Sequence, residues 1–179
     1  MDYKRALQLA DGSASLHLSY AGYLLLTQKQ YQEAEGQARR SLEIWRDDAE
    51  AYVVLAGALA SAGRDAEAVL EAREALRIDP EHKSALVILG FSLARSGQYA
   101  DAIPVLRKAA LLPLNLPVIH KHLGGCLVHT RDFDGAIKEL TTFLETNPND
   151  AEAHYFLGVA FREKGNRKPP MWTTSARSS

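Results

Sequence analysis

His122, Cys126 and His129 stand at i, i+4 and i+7, a spacing that gathers three metal-binding side chains on one face of a helix. Zinc takes four ligands in a structural site, or three and an open position in a catalytic one. Three residues from one helix therefore make at best a partial centre, and Cys126 also reads as a small buried side chain. Nucleophilic chemistry has no better footing. Cys126 has no electropositive helix start beside it to lower its pKa, and Ser13 and Ser15 fall at segment boundaries without a base and an orienting acid. No strand is evident for a glycine-rich phosphate loop to follow. The acidic pair Asp47-Asp48 lies at a junction where helix capping is the simpler role. These residues predict no catalysis, no metal and no cofactor.

Charge excludes a second group of functions. The 179 residues include 21 Lys or Arg and 22 Asp or Glu, so no net field draws the chain to nucleic acid or to an anionic membrane. Arg39-Arg40 stands beside Glu35 and Glu43 and reads as a solvated, ion-paired face. Arg162, Lys164, Arg167 and Lys168 are denser, but no aromatic platform for bases accompanies them. The first residues lack the apolar stretch of a signal peptide, and no run approaches the roughly 18 residues of a membrane span. A soluble chain without membrane insertion is expected, its compartment open with a lean to the cytoplasm.

The elements that must position any site follow from an internal repeat. Gly22, Ala56, Gly90, Gly124 and Gly158 are each 34 residues apart. Counting units from Ser15, Ala49, Lys83, Pro117 and Ala151, the eleventh positions are Leu25, Leu59, Leu93, Leu127 and Phe161, and the twentieth are Ala34, Ala68, Ala102 and Ala136. The seventeenth include Tyr31, Tyr99 and Phe133. Turn residues between them, such as Ser61-Ala62-Gly63 and Ser96-Gly97, predict two helices per unit, because glycine accepts the left-handed conformation that ends a helix. Asp79-Pro80 and Asn147-Pro148 close the second and fourth units, and Pro117 suits a first helical turn. His120 and His154 share the fourth position with Tyr52 and are expected as packing rings.

This pattern resembles the tetratricopeptide repeat, most fully through Tyr52, Leu55, Ala56, Leu59, Gly63, Ala68, Ala75 and Pro80. Departures are Lys29 and Arg131 in place of glycine, Arg46 and Leu114 in place of proline, and Phe143 in place of alanine. The resemblance implies an all-α, right-handed superhelical solenoid of antiparallel helix pairs over residues 1–165. It comprises a partial repeat at 1–14, repeats at 15–48, 49–82, 83–116 and 117–150, the first helix of a fifth at 151–165, and an irregular tail at 166–179. It also implies that first helices line a concave groove, through Tyr23, Val53, Gly57, Val87, Phe91, Arg95, Lys121, Gly125, Val128, His129, Tyr155 and Arg162. An apolar floor with a mixed rim suits a peptide or amphipathic helix of a partner protein, and Gly57 and Gly125 would leave depressions. The lysine and asparagine clamp by which co-chaperone members hold a terminal carboxylate is absent from the fifth and ninth positions.

The expected function is a non-catalytic scaffold for protein partners, with the assembly or substrate-recruiting arm of a larger enzyme, or a structural module self-associating through helix 151–164, as the alternatives. The fifth unit adds another expectation. Its first helix, from about Ala151 to Lys164, is apolar, and Pro169-Pro170 stops the helix that should follow. Three covers are open: further chain, self-association through Phe156, Val159 and Phe161, or Trp172 folding back.

Overall fold

A computed structural model of the chain describes residues 3–113 and 116–166. The expected tail lies, beyond Asn166, outside the described residues. Among these residues there are ten α-helices, one π-helical turn and no strand. The chain divides into two compact units, residues 1–114 and 115–179. The first holds α1 (Tyr3–Leu9), α2 (Ala14–Tyr23), the π turn Leu24–Gln28, α3 (Tyr31–Ile44), α4 (Ala49–Ser61), α5 (Asp65–Ile78), α6 (Lys83–Arg95) and α7 (Tyr99–Ala110). The second holds α8 (Val118–His129), α9 (Phe133–Thr146) and α10 (Ala151–Asn166). Each helix packs on its sequence neighbours within its unit, and the first helices α2, α4 and α6 also touch in succession, as do α8 and α10.

Small residues let the two helices of a repeat approach. Ala34, Ala68, Ala102 and Ala136 are all completely buried. The eighth and twenty-fourth positions are matched in size. Ala56 is sealed in the repeat that carries buried Ala72, whereas glycine faces leucine in the next two. A Cβ added to Gly90 would lie 2.6 Å from Leu106 Cδ2, and one on Gly124 would lie 2.6 Å from Leu140 Cγ. Such distances leave no room for even a methyl group without moving a sealed leucine.

The helix starts are capped as the junction residues require. Asp48 Oδ1 accepts from the N–H groups of Glu50 and Ala51 at 3.0 and 3.3 Å, and Asp150 Oδ1 accepts from Ala153 at 2.8 Å. Gly63 and Gly97 take φ of 80° and 79° at the turns. Lys29 and Arg131 occupy the same turn position with φ of 54° and 66°, a region costly for residues with a Cβ. At Gly165 the helix instead runs on to Asn166, since glycine permits the turn without compelling it.

The first repeat departs from the others inside its first helix. From cap to left-handed residue, Ser13 to Lys29 is one residue longer than Asp48 to Gly63 or His82 to Gly97. The π turn absorbs that residue: the Lys29 N–H reaches back to Leu24 O, five residues away rather than four. Leu24, buried at 1%, stands where the later repeats carry the small residues Ala58, Ser92 and Cys126.

Two stability tests follow from this packing. Gly124→Ala should destabilise by about 1–3 kcal/mol through overpacking against Leu140, while Gly22→Ala, with no atom within 4 Å of the new Cβ, should stabilise by up to about 1 kcal/mol. Urea midpoints of the two variants should therefore move in opposite directions, and equal shifts would refute the size match as the constraint. Lys29→Gly should raise the midpoint, by about 1 kcal/mol at most, because relief of the left-handed strain outweighs the added freedom of the unfolded chain.

Candidate functional site

The first helices divide the twelve expected groove residues into those left accessible and those used in packing. In the unit of residues 1–114, Val53 is buried at 6% in a cluster with Ala75 and Ala85. The depression expected at Gly57 is filled: a Cβ there would meet Leu25 Cδ2 at 3.2 Å and Ile88 Cδ1 at 3.7 Å. Val87 and Phe91 are half-buried on α6, and Tyr23 is 40% exposed at the end of α2. Tyr23 lies 5.4 Å from the Tyr3 ring, and its hydroxyl accepts from Gln28 Nε2 at 3.0 Å. Leu26, on the π turn, is 80% exposed. Tyr23 and Leu26 from the first repeat and Val87 and Phe91 from the third thus flank the smaller Gly57 and Ala60 of α4.

Arg95 sits at the end of α6 beside this apolar surface. Its guanidinium lies 3.1 Å from Asp65 Oδ2 and donates to the Ala60 carbonyl at 3.2 Å. Asp65 occupies the seventeenth position, where the other complete repeats have Tyr31, Tyr99 or Phe133. That replacement of an aromatic ring by a carboxylate is visible in the sequence and marks the residue that holds Arg95. Ion pairing fixes the Arg95 head group while leaving its side chain 47% exposed.

In the unit of residues 115–179 the expected site residues divide between buried and exposed positions. Gly125 is buried beneath Phe156, whose ring would lie 3.5 Å from an added Cβ, and Val128 is buried. His129 is exposed, with its ring 5.9 Å from that of Phe156. Lys121 lies 3.2 Å from Asp150 Oδ2 and 3.1 Å from Glu152 Oε2, with its ammonium 5.7 Å above the Phe143 ring. The large residue at a position usually held by alanine is thus covered by a lysine held between two carboxylates. Burial works to lower the Lys121 pKa, but hydrogen bonds and charge from Glu152 and Asp150 outweigh it and hold the pKa above its ordinary value. Tyr155 is 67% exposed, and Arg162, also exposed, pairs with Glu163.

The other candidate residues separate. Cys126 is buried, His122 half-buried and His129 exposed, and the described residues contain no cluster suited to a metal ion. Burial pushes the Cys126 thiol up to about 11, away from thiolate chemistry. His120 Nδ1 lies 2.7 Å from Glu139 Oε2, whereas His154 is exposed and bonds the Pro148 carbonyl at 2.7 Å, so it is not the packing ring expected there. Phe156 is half-buried with its ring against His129, while Phe161 is 56% exposed. No described helix is long and apolar enough to cross a membrane.

Asp150 links α8 to α10 and carries a pH-dependent test. The Ala153 N–H, and then Lys121, draw its carboxyl below the ordinary range against the opposing effect of burial. A depressed carboxyl contributes stability above its unfolded pKa, about 3.9, and loses it as pH falls through the lower folded value. Asp150→Ala should therefore cost about 1 kcal/mol at neutral pH through the lost cap. The difference from wild type should vanish in acid, as measured by urea unfolding from pH 7 to pH 2. A pH-independent difference would exclude the ionised cap.

Comparisons with known proteins are consistent with this arrangement. Tetratricopeptide repeat models match residues 21–83 and residues 93–160. Among solved structures, YrrB, described as a TPR protein with an unusual peptide-binding site, is 24% identical with a TM-score of 0.81, covering 94% of this chain and 86% of its own. MamA from Desulfovibrio magneticus RS-1 is 22% identical with a TM-score of 0.75 over 85% of each chain. Another MamA structure is 18% identical with a TM-score of 0.74, covering 85% of this chain and 82% of its own. At these identities the likeness shows the fold. No curated protein matches the chain.

Proposed function

Since the chain belongs to the tetratricopeptide repeat family, we propose that it is a non-catalytic scaffold that holds a peptide or amphipathic helix of another protein on its first helices. The observation that carries this reading is the row of accessible apolar side chains Tyr23, Leu26, Val87 and Phe91 on a surface made by α2, the π turn, α4 and α6. The peptide-binding site of YrrB, a protein of similar fold, supports it. Arg95 offers a fixed positive group at one side to a partner carboxylate. Full burial of a Leu or Phe side chain contributes roughly 1.5–3 kcal/mol, so Leu26 and Phe91 would supply much of the affinity. A preformed helical surface lowers the ordering cost of binding. The exposed Phe161 keeps a second copy of the chain among the partners.

Selection from a displayed peptide library on the purified chain tests this function. Selected peptides should carry apolar residues at helical spacing or in alternation. They should bind Leu26→Glu/Phe91→Glu at least about 100-fold more weakly, the loss of about 3 kcal/mol expected from two buried side chains. Both replaced residues lie at the surface or half-buried, so circular dichroism should be unchanged. Peptides that bind the wild type and this variant equally would remove the first-helix surface as the site.

A further inference from the structure

α10 presents a face that is open among the described residues although its counterparts are covered. The seventh, eighth and eleventh positions are Leu55, Ala56 and Leu59 in the second repeat and Leu123, Gly124 and Leu127 in the fourth, all buried. In α10 they are Leu157, Gly158 and Phe161, of which Leu157 is half-buried and the other two are exposed. No described atom lies within 4 Å of a Cβ placed on Gly158, the position whose equivalents receive Leu106 and Leu140 from a second helix. The face is therefore shaped for a second helix with a bulky residue over the glycine, followed three positions on by a residue that packs inward, as Ala109 follows Leu106 and Phe143 follows Leu140.

α1 has those residues. Tyr3-Lys4-Arg5-Ala6-Leu7 corresponds to Ala38-Arg39-Arg40-Ser41-Leu42 of α3 and Ala72-Arg73-Glu74-Ala75-Leu76 of α5. Leu42 and Leu76 pack at clusters that include α4 residues or Ala85 of α6, each in the following repeat, and Leu7 likewise packs against Tyr20 and Leu24 of the repeat that follows α1. Ser41 and Ala75, however, are buried at 1% and 0%, whereas Ala6 is only half-buried and α1 contains no fully buried residue. Among the described residues, α1 thus shows a second helix with its repeat-internal side open, and α10 shows a first helix with the matching side open.

We propose that α1 of one copy packs on α10 of another, so that the two open helices complete one repeat in a head-to-tail assembly. The pairing is the one the chain already makes internally. Ala6 comes beside Tyr155, as Phe143 lies beside Lys121, and Tyr3 comes to Gly158, as Leu140 lies on Gly124. Tyr3 must leave its stack on Tyr20, where the ring centroids are 5.2 Å apart. With only seven residues in α1, the contact falls well below the roughly 1,200–2,000 Å² of a stable interface. The association is accordingly weak and concentration-dependent. Because its two surfaces differ, it either closes into a ring, of two copies or more, or grows.

Sedimentation velocity of the full chain over a concentration series tests the proposal, with Gly158→Glu and Ala6→Glu run alone and mixed. Wild type should gain mass to dimer or beyond as concentration rises, and each variant alone should remain a monomer. Their equimolar mixture should form a one-to-one dimer, because each retains the face that the other has lost. A wild type that stays monomeric overturns the proposal. So does loss of assembly in Gly158→Glu with none in Ala6→Glu, which marks α10 packing on α10, and so does a mixture that stays monomeric. Gly158→Gln and Ala6→Lys repeat the comparison should either glutamate variant lose helical circular dichroism.

Discussion

Each helix pair in this protein depends on the distance at which its two backbones can pass, and that distance is set by the combined size of two side chains. Alanine faces the interior in the second helix of every complete repeat, and leucine at the twenty-fourth position is accommodated where glycine stands at the eighth. Close-packed interiors tolerate little change in volume, so these pairs fix which face of each first helix is hidden. What remains visible on α2, α4 and α6 is a consequence of that choice. The apolar surface proposed for partner binding is the complement of the packing surface, because helical spacing gives a residue one direction or the other.

Polar contacts then decide which charges are free to meet a ligand. Lys121 and Arg95 occupy first-helix positions that look alike as sequence, yet their surroundings differ. Lys121 is enclosed by Asp150, Glu152 and the Phe143 ring with its side chain only 18% exposed. Arg95 is anchored by Asp65 and a carbonyl while remaining about half exposed. The first is a strut within its unit, and the second is an oriented cation at the side of an apolar surface. Exposed single ion pairs contribute little to stability, so the value of the Arg95 contact lies in orientation.

Features governed by neighbouring residues were legible in the sequence. The capping role of Asp48, the left-handed turns at Gly63 and Gly97 and the Pro117 helix start all rest on interactions within a few residues. The site was legible only in part. Val53 and Val128 share the stripe of Val87, but whether a stripe residue is covered depends on helices about 34 residues away, which spacing along one helix does not report. The same reason hides the filling of Gly57 by Leu25 and Ile88. Pro104 shows the reverse: it lies inside α7 against local propensity, on an exposed position, while buried Ala102, Leu106 and Ala109 hold the helix in place.

The π turn in the first repeat has a consequence for how the array tolerates change. An added residue in an α-helix rotates everything beyond it by about 100°, which here would turn the buried side of α3 toward solvent. The wide turn at Leu24–Gln28 confines the mismatch to five residues, and α3 still buries Ala34 and Ala38 completely. It behaves as a dislocation locked in one row of a crystal, with the lattice on either side unaware of it. The repeat lattice can therefore accept a change in the length of its chain without a change in its phase.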